Sequence, residues 1–194
     1  MSLLRAFIAI EIPFEIKQAI SRQTASLRQS SGRAVRWVSV ENIHLTLKFL
    51  GQVSSANLEL LAQSVRAECA HSTPFSIAVE GLGCFPNARR PRVLWIGLSA
   101  PPALIHLQHQ IETSANRLGY PPDEKPFSPH LTIGRVREQA STAELQTLRL
   151  LLEQTHLPSL GTFSVNEICF YRSDLKPDGP VYTRISTARL GENP

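Results

Sequence analysis

His44-Leu45-Thr46-Leu47 and His130-Leu131-Thr132-Ile133 are two copies of one tetrapeptide, set 86 residues apart in a chain of 194. Each alternates polar and apolar residues, the pattern of a half-buried strand. Residues two apart on a strand point to the same face, with Cα atoms about 7 Å apart. Each copy therefore presents a histidine beside a threonine, while Leu45, Leu47, Leu131 and Ile133 turn to the opposite, buried side. One such tripeptide in a sequence is commonplace; two in strand context, spaced at nearly half the chain, point to a shared task.

Two such strands facing across a cleft supply what phosphodiester hydrolysis needs. One neutral imidazole takes a proton from attacking water while the other, protonated, donates to the departing oxygen. The hydroxyls of Thr46 and Thr132 are suited to hold the non-bridging phosphate oxygens. Positioning and charge stabilisation are most of the work in phosphoryl chemistry. Neither copy has an HExxH pattern or a carboxylate at ligand spacing beside it, so the expectation is a reaction with no metal and no cofactor.

Outward from the two copies, short alternating stretches and helical stripes follow one another. Residues 4–10, 33–38, 43–50, 75–82, 92–98, 130–136, 163–171 and 181–187 read as strands. Pro13 opens a helical stretch striped by Ile16, Ala19, Ile20, Gln23 and Leu27. Ser54 or Ser55 caps a second helix, with Leu58, Leu61, Ala62 and Val65 at helical spacing. Leu104, Leu107, Ile111, Ala115 and Leu118 mark a third. Ser141 and Glu144 form a capping-box signal for a fourth, which carries Leu145, Leu148, Leu151 and Leu152. Lys176-Pro177-Asp178-Gly179 reads as a turn between the last two strands. The class is α+β with antiparallel sheets, and no linker divides residues 1–194 into separate domains.

Composition narrows the partners. The hydrophobic fraction of 42% and charged fraction of 19% are those of an ordinary globular protein. No apolar run approaches the ~20 residues that span a bilayer, and residues 3–12, interrupted by Arg5 and Glu11, read as a buried strand and not a signal peptide. Three cysteines, Cys69, Cys84 and Cys169, lack paired spacing, which fits a reducing cytoplasm. The net charge is +4, with 16 Arg against 4 Lys; the planar guanidinium fork suits phosphate and permits a nucleic-acid partner.

At these residues the chain resembles the two-histidine phosphoesterase superfamily, and within it the RNA 2′,3′-cyclic phosphodiesterases, long called 2′-5′ RNA ligases. The resemblance runs through Arg5-Ala6-Phe7-Ile8-Ala9-Ile10, Arg36-Trp37-Val38, His44 to Gly51, Phe127 to Arg135, Tyr171-Arg172-Ser173 and Gly179-Pro180-Val181-Tyr182. It implies a bilobal α+β fold, two pseudo-symmetric lobes with antiparallel sheets around a central cleft and helices outside, each lobe contributing one motif. It implies hydrolysis of an RNA 2′,3′-cyclic phosphate end to a 2′-phosphomonoester, with His44 as proton donor and His130 as proton acceptor. The reverse reaction, joining RNA ends through a 2′-5′ bond, is expected from microscopic reversibility. A monomer acting in the cytoplasm on RNA is the implied setting.

Thr46, Thr132, Arg135 and Phe7 are the candidate substrate-binding residues. Arg135 lies five positions after His130, so a regular strand would turn it away from the histidine. The resemblance nevertheless places an arginine near substrate here, which a bulge or strand end at Gly134 allows. Phe7 either stacks on a base or packs in the core, and Trp37 and Tyr182 carry the same two readings. Arg89, Arg90 and Arg92 form a basic loop, open to an RNA backbone or simply solvated. His106 and His109 sit three apart on a predicted helix and lack a third ligand; His71 and His156 have no partner pattern. Two other functions fit the same residues: a sister esterase acting on a small cyclic phosphate or a 2′-5′ oligoadenylate, and an RNA-binding module whose histidines only contact phosphate.

Overall fold

The computed structural model describes residues 3–177 and 179–192. Its elements in chain order are β1 (Leu3–Glu11), α1 (Phe14–Gln23), α2 (Ala25–Ser30), β2 (Val35–Trp37), a 3-10 turn (Val40–Asn42) and β3 (His44–Ser54). Then come α3 (Ser55–Ala70), β4 (Phe75–Phe85), β5 (Val93–Ser99), α4 (Pro102–Arg117) and β6 (His130–Val136). The chain closes with α5 (Thr142–Gln154), β7 (Gly161–Val165), β8 (Glu167–Lys176) and β9 (Gly179–Arg189). Asp178 of the expected turn lies outside the described residues. Among the described residues, no helix is long and apolar enough to cross a membrane.

The strands form one curled antiparallel sheet in the order β7-β4-β5-β6-β3-β1-β8-β9, with β2 added to β6. Its two halves, β7-β4-β5-β6 and β3-β1-β8-β9, are the two lobes. They meet at β3 and β6, where Leu45 and Leu131 are the single register pair. The lobes interleave in sequence: β8 and β9 return to join β1, while β4 and β5 join β6. The expected strand over 163–171 is in fact two, broken at Asn166. β7 pairs with β4 at one edge of the sheet, and β8 pairs with β1 in the other lobe. The helical stretch after Pro13 is also two helices. Thr24 interrupts it, turning its hydroxyl back onto the Ile20 carbonyl at 2.7 Å.

The helices α3 and α4 cover the face of the sheet opposite the motif histidines. Leu61, Ala62, Val65 and Cys69 of α3 and Leu104, Leu107, Ile111 and Ala115 of α4 are buried there. Leu45, Leu47, Leu131 and Ile133 join the same core. Each is worth about 1.5–3 kcal/mol relative to exposure, so a one-residue slip of either motif strand is strongly disfavoured. Ser54 caps α3 by accepting from the Asn57 N–H at 3.2 Å, and the capping box of Ser141 and Glu144 starts α5.

A bulge in each motif strand then reverses the alternation. On β3 the register steps from Ala9↔Thr46 to Ile8↔Lys48, which leaves Leu47 as the extra residue. On β6 it steps from Trp95↔Thr132 to Leu94↔Gly134, which leaves Ile133 extra. Beyond the bulges, Lys48 and Gly134 turn to the helical or covered side and Phe49 and Arg135 return to the side of the histidines. Gly134 is required at its position: a Cβ there would lie 2.7 Å from Val35 Cγ1, so β2 packs only against a glycine. Lys48 is 1% exposed, and its ammonium donates to Glu112 at 2.6 Å and to the Pro121 carbonyl at 2.6 Å, tying β3 to α4 and the loop that follows it.

Candidate active site

The two histidines open their strands, each held by the same device. His44 Nδ1 is 2.7 Å from the Asn42 carbonyl, and His130 Nδ1 is 2.7 Å from the Ser128 carbonyl. A carbonyl only accepts, so each Nδ1 carries the hydrogen and donates it. The tautomer is fixed by the backbone, and Nε2 of each ring is the nitrogen left for chemistry.

The turn that holds His44 is itself clamped. Lys17, 8% exposed on α1, donates to the Glu41 carbonyl at 2.9 Å. The Asn42 amide donates to the Pro180 carbonyl at 2.8 Å, reaching across to the β8–β9 hairpin. Burial holds the His44 imidazole below its ordinary range; the bond to the Asn42 carbonyl opposes this, and the nearby Lys17 charge adds to the lowering. In the free protein at neutral pH, His44 therefore favours its neutral form.

Aromatic rings wall both imidazoles. Phe7 stacks on His44 at 4.7 Å between centroids, and Tyr171 stacks on Phe7 at 5.3 Å. Tyr182 meets His44 edge-on at 5.2 Å, and Phe85 meets His130 edge-on at 5.0 Å. Trp95, opposite Thr132 on β5, packs against Phe85 in a space that exists because residue 83 is glycine; a Cβ there would fall 2.3 Å from the indole.

Counting one residue outward from the Leu45–Leu131 pair places His44 across from Thr132 and Thr46 across from His130. All four side chains are half-buried and stand on one face of the sheet. The histidines occupy a diagonal of this square, a position whose Cα spacing is about 7–8 Å.

Arg135 is exposed on this face, turned there by the bulge at Ile133. Burial raises the Tyr182 phenol, and the positive charges of Arg135 and Arg5 oppose that rise. Phe7 is only 2% exposed and has His44 and Tyr171 against its ring. Its place is beneath the imidazole, not open to a base. Trp37 donates to the Ser31 hydroxyl at 3.3 Å and carries the Arg28 guanidinium on its ring, which makes it a packing residue. Arg89, Arg90 and Arg92 are exposed in the β4–β5 loop, His106 and His109 are exposed on α4, and His71 and His156 are exposed elsewhere.

A family model described as the 2′-5′ RNA ligase superfamily matches residues 16–177. The chain belongs to the 2′-5′ RNA ligase superfamily. An RNA 2′,3′-cyclic phosphodiesterase of Methanothermobacter thermautotrophicus is 34% identical to it, over 96% of this chain and 99% of the relative. Among solved structures, Escherichia coli LigT complexed with 3′-AMP matches with a TM-score of 0.77 at 28% identity, over 98% of this chain and 100% of that one. A Thermus thermophilus protein of this shape matches with a TM-score of 0.81 at 27% identity, over 97% and 98% of the two chains. The fold is thus the bilobal, LigT-like architecture of this superfamily, with its curled antiparallel sheet and outer helices.

Proposed function

We propose that this chain opens 2′,3′-cyclic phosphates at RNA ends, leaving a 2′-phosphomonoester. The observation that carries the reading is the pair of imidazoles, each fixed through Nδ1 to a backbone carbonyl and each facing a motif threonine across the central pair. Relatives named as RNA 2′,3′-cyclic phosphodiesterases support the substrate.

In the hydrolytic direction His130 Nε2 takes a proton from water, the water oxygen bonds to phosphorus, and the P–O3′ bond breaks. His44 Nε2–H gives its proton to the departing O3′. The motifs are nearly symmetric, and the division of roles follows the family resemblance. Burial favours a neutral His44 in the free protein; a bound phosphodiester anion beside it favours the protonated form that the acid role requires. Thr46 and Thr132 donate to the non-bridging oxygens. Arg135 supplies positive charge on the His44 side of the phosphate, and Phe7 acts through His44 by fixing its ring plane. The scheme calls for no metal or cofactor. We place the protein in the cytoplasm, consistent with three cysteines without paired spacing, and take it to act as a monomer.

The test is turnover of 2′,3′-cyclic mononucleotides, an oligonucleotide with a cyclic end and 2′-5′ dinucleotides, all in excess EDTA. Preferred turnover of the cyclic-ended oligonucleotide is expected. Turnover confined to a small molecule identifies a sister esterase, binding without turnover identifies an RNA-binding module, and activity restored only by added metal overturns the acid–base scheme.

A further inference from the structure

We propose that Arg5 and Phe49 form a second nucleoside subsite, a shelf that receives the nucleotide bonded through its 5′-oxygen in the 2′-5′ joining reaction and its reversal. The proposal rests on the phosphodiester chemistry above and adds a place for the partner strand.

Phe49 follows His44 by five residues, as Arg135 follows His130. The same kind of bulge turns each of them back to the side of the histidines. Phe49 is 41% exposed, whereas Leu47 and Leu50 beside it on β3 are 2% and 7% exposed. The Arg5 guanidinium lies 4.6 Å from the centre of the Phe49 ring. Phe7, which stacks on His44, is the register partner of Phe49 and shares its face with Arg5, two residues back on β1. An exposed aromatic ring with an arginine against it, on the sheet face that carries the histidines, is a platform on which a base stacks, with a cation for a phosphate.

Register gives the shelf its side. Thr46 is across from His130, and Phe49 lies beyond Thr46, within about 10 Å of strand. Phe49 therefore sits on the His130 side of the phosphorus, while Arg135, beyond Thr132, sits on the His44 side. His130 serves the entering oxygen. When that oxygen is a 5′-hydroxyl instead of water, its nucleoside extends toward the shelf. The 5′-oxygen bonds to phosphorus, its proton passes to His130, the P–O3′ bond breaks and O3′ takes the proton of His44. The product is a 2′-5′ diester, formed without a cofactor. In reverse, the 3′-hydroxyl gives its proton to His44 and the departing 5′-oxygen receives one from His130.

The experiment compares kcat/KM for adenylyl-2′,5′-adenosine cleavage with kcat/KM for 2′,3′-cyclic AMP hydrolysis. Phe49→Ala and Arg5→Ala should each lower the ratio of the first to the second at least fivefold, mostly through KM, as expected for a lost stacking contact. Phe49→Tyr, which keeps the ring, should hold the ratio within twofold of wild type. An equal fall on both substrates, or no change on either, overturns the shelf. A wild-type protein that turns over neither substrate overturns the underlying phosphodiester reading, and the shelf with it.

Discussion

Leu45 pairs with Leu131 where β3 meets β6, and this one antiparallel pair separates the two histidines. Both leucines are buried among the helices, so their neighbours on each strand are directed to the other face. That juxtaposition gives each imidazole a threonine from the opposite lobe. It also makes the two threonines equivalent in position, although the histidines act in opposite senses.

Thr46→Ala and Thr132→Ala should each therefore lower kcat/KM by an amount equivalent to about 1.5–3 kcal/mol, the worth of a hydrogen bond to a charged oxygen. Thr→Ser at either site should keep most of the activity, since the hydroxyl remains. Steady-state kinetics on a cyclic mononucleotide checks this; an alanine variant at wild-type rate removes that threonine from phosphate binding.

The pH dependence follows from the surroundings of His44. Burial first, then the Lys17 charge, holds its pKa below the ordinary value, against the pull of the Asn42 carbonyl. The pH profile of kcat/KM, which reports the free enzyme, should have one limb below about 6.5. Lys17→Met removes the nearby positive charge, so that limb should move to higher pH. The limbs are macroscopic, and only the one that responds to Lys17 belongs to His44. A profile unmoved by Lys17→Met contradicts the coupling.

Lys48 makes a separate prediction about stability. It is 1% exposed, and its partner Glu112 is 13% exposed. Lys48→Met leaves the Glu112 charge without its cation, held only by the Gln108 amide and the Asp123 N–H, and should cost about 3–5 kcal/mol in urea unfolding. Adding Glu112→Gln should recover part of that loss, because the uncompensated charge is gone. Additive losses in the double variant would show that the ion pair is not coupled.

Phe7→Leu should lower kcat more than it raises KM, since the ring touches the imidazole and is shielded from substrate. A change confined to KM would instead mean that substrate meets Phe7 directly.

Much of this was legible in the sequence. The repeated tetrapeptide fixed which faces are buried, and the capping box at Ser141 located α5. Arg135 shows the limit of strict alternation: only the extra residue Ile133 returns it to the cleft, and bulges depend on the partner strand. Phe49 carried a usable signal, its five-residue offset from His44 matching that of Arg135 from His130. Lys48 gave none, because a buried lysine is recognised by its partners on α4. The break at Asn166 was hidden as well, since β7 and β8 are each good strands and only tertiary pairing sends them to different lobes.

The most direct measurement is the phosphorus NMR time course of 2′,3′-cyclic AMP in EDTA with wild type, His44→Ala and His130→Ala. Wild type should give 2′-AMP alone, and each variant should be slower by at least the ~10²–10⁴-fold typical of a lost acid or base. Formation of 3′-AMP, or turnover by either variant at the wild-type rate, would contradict the two-histidine account.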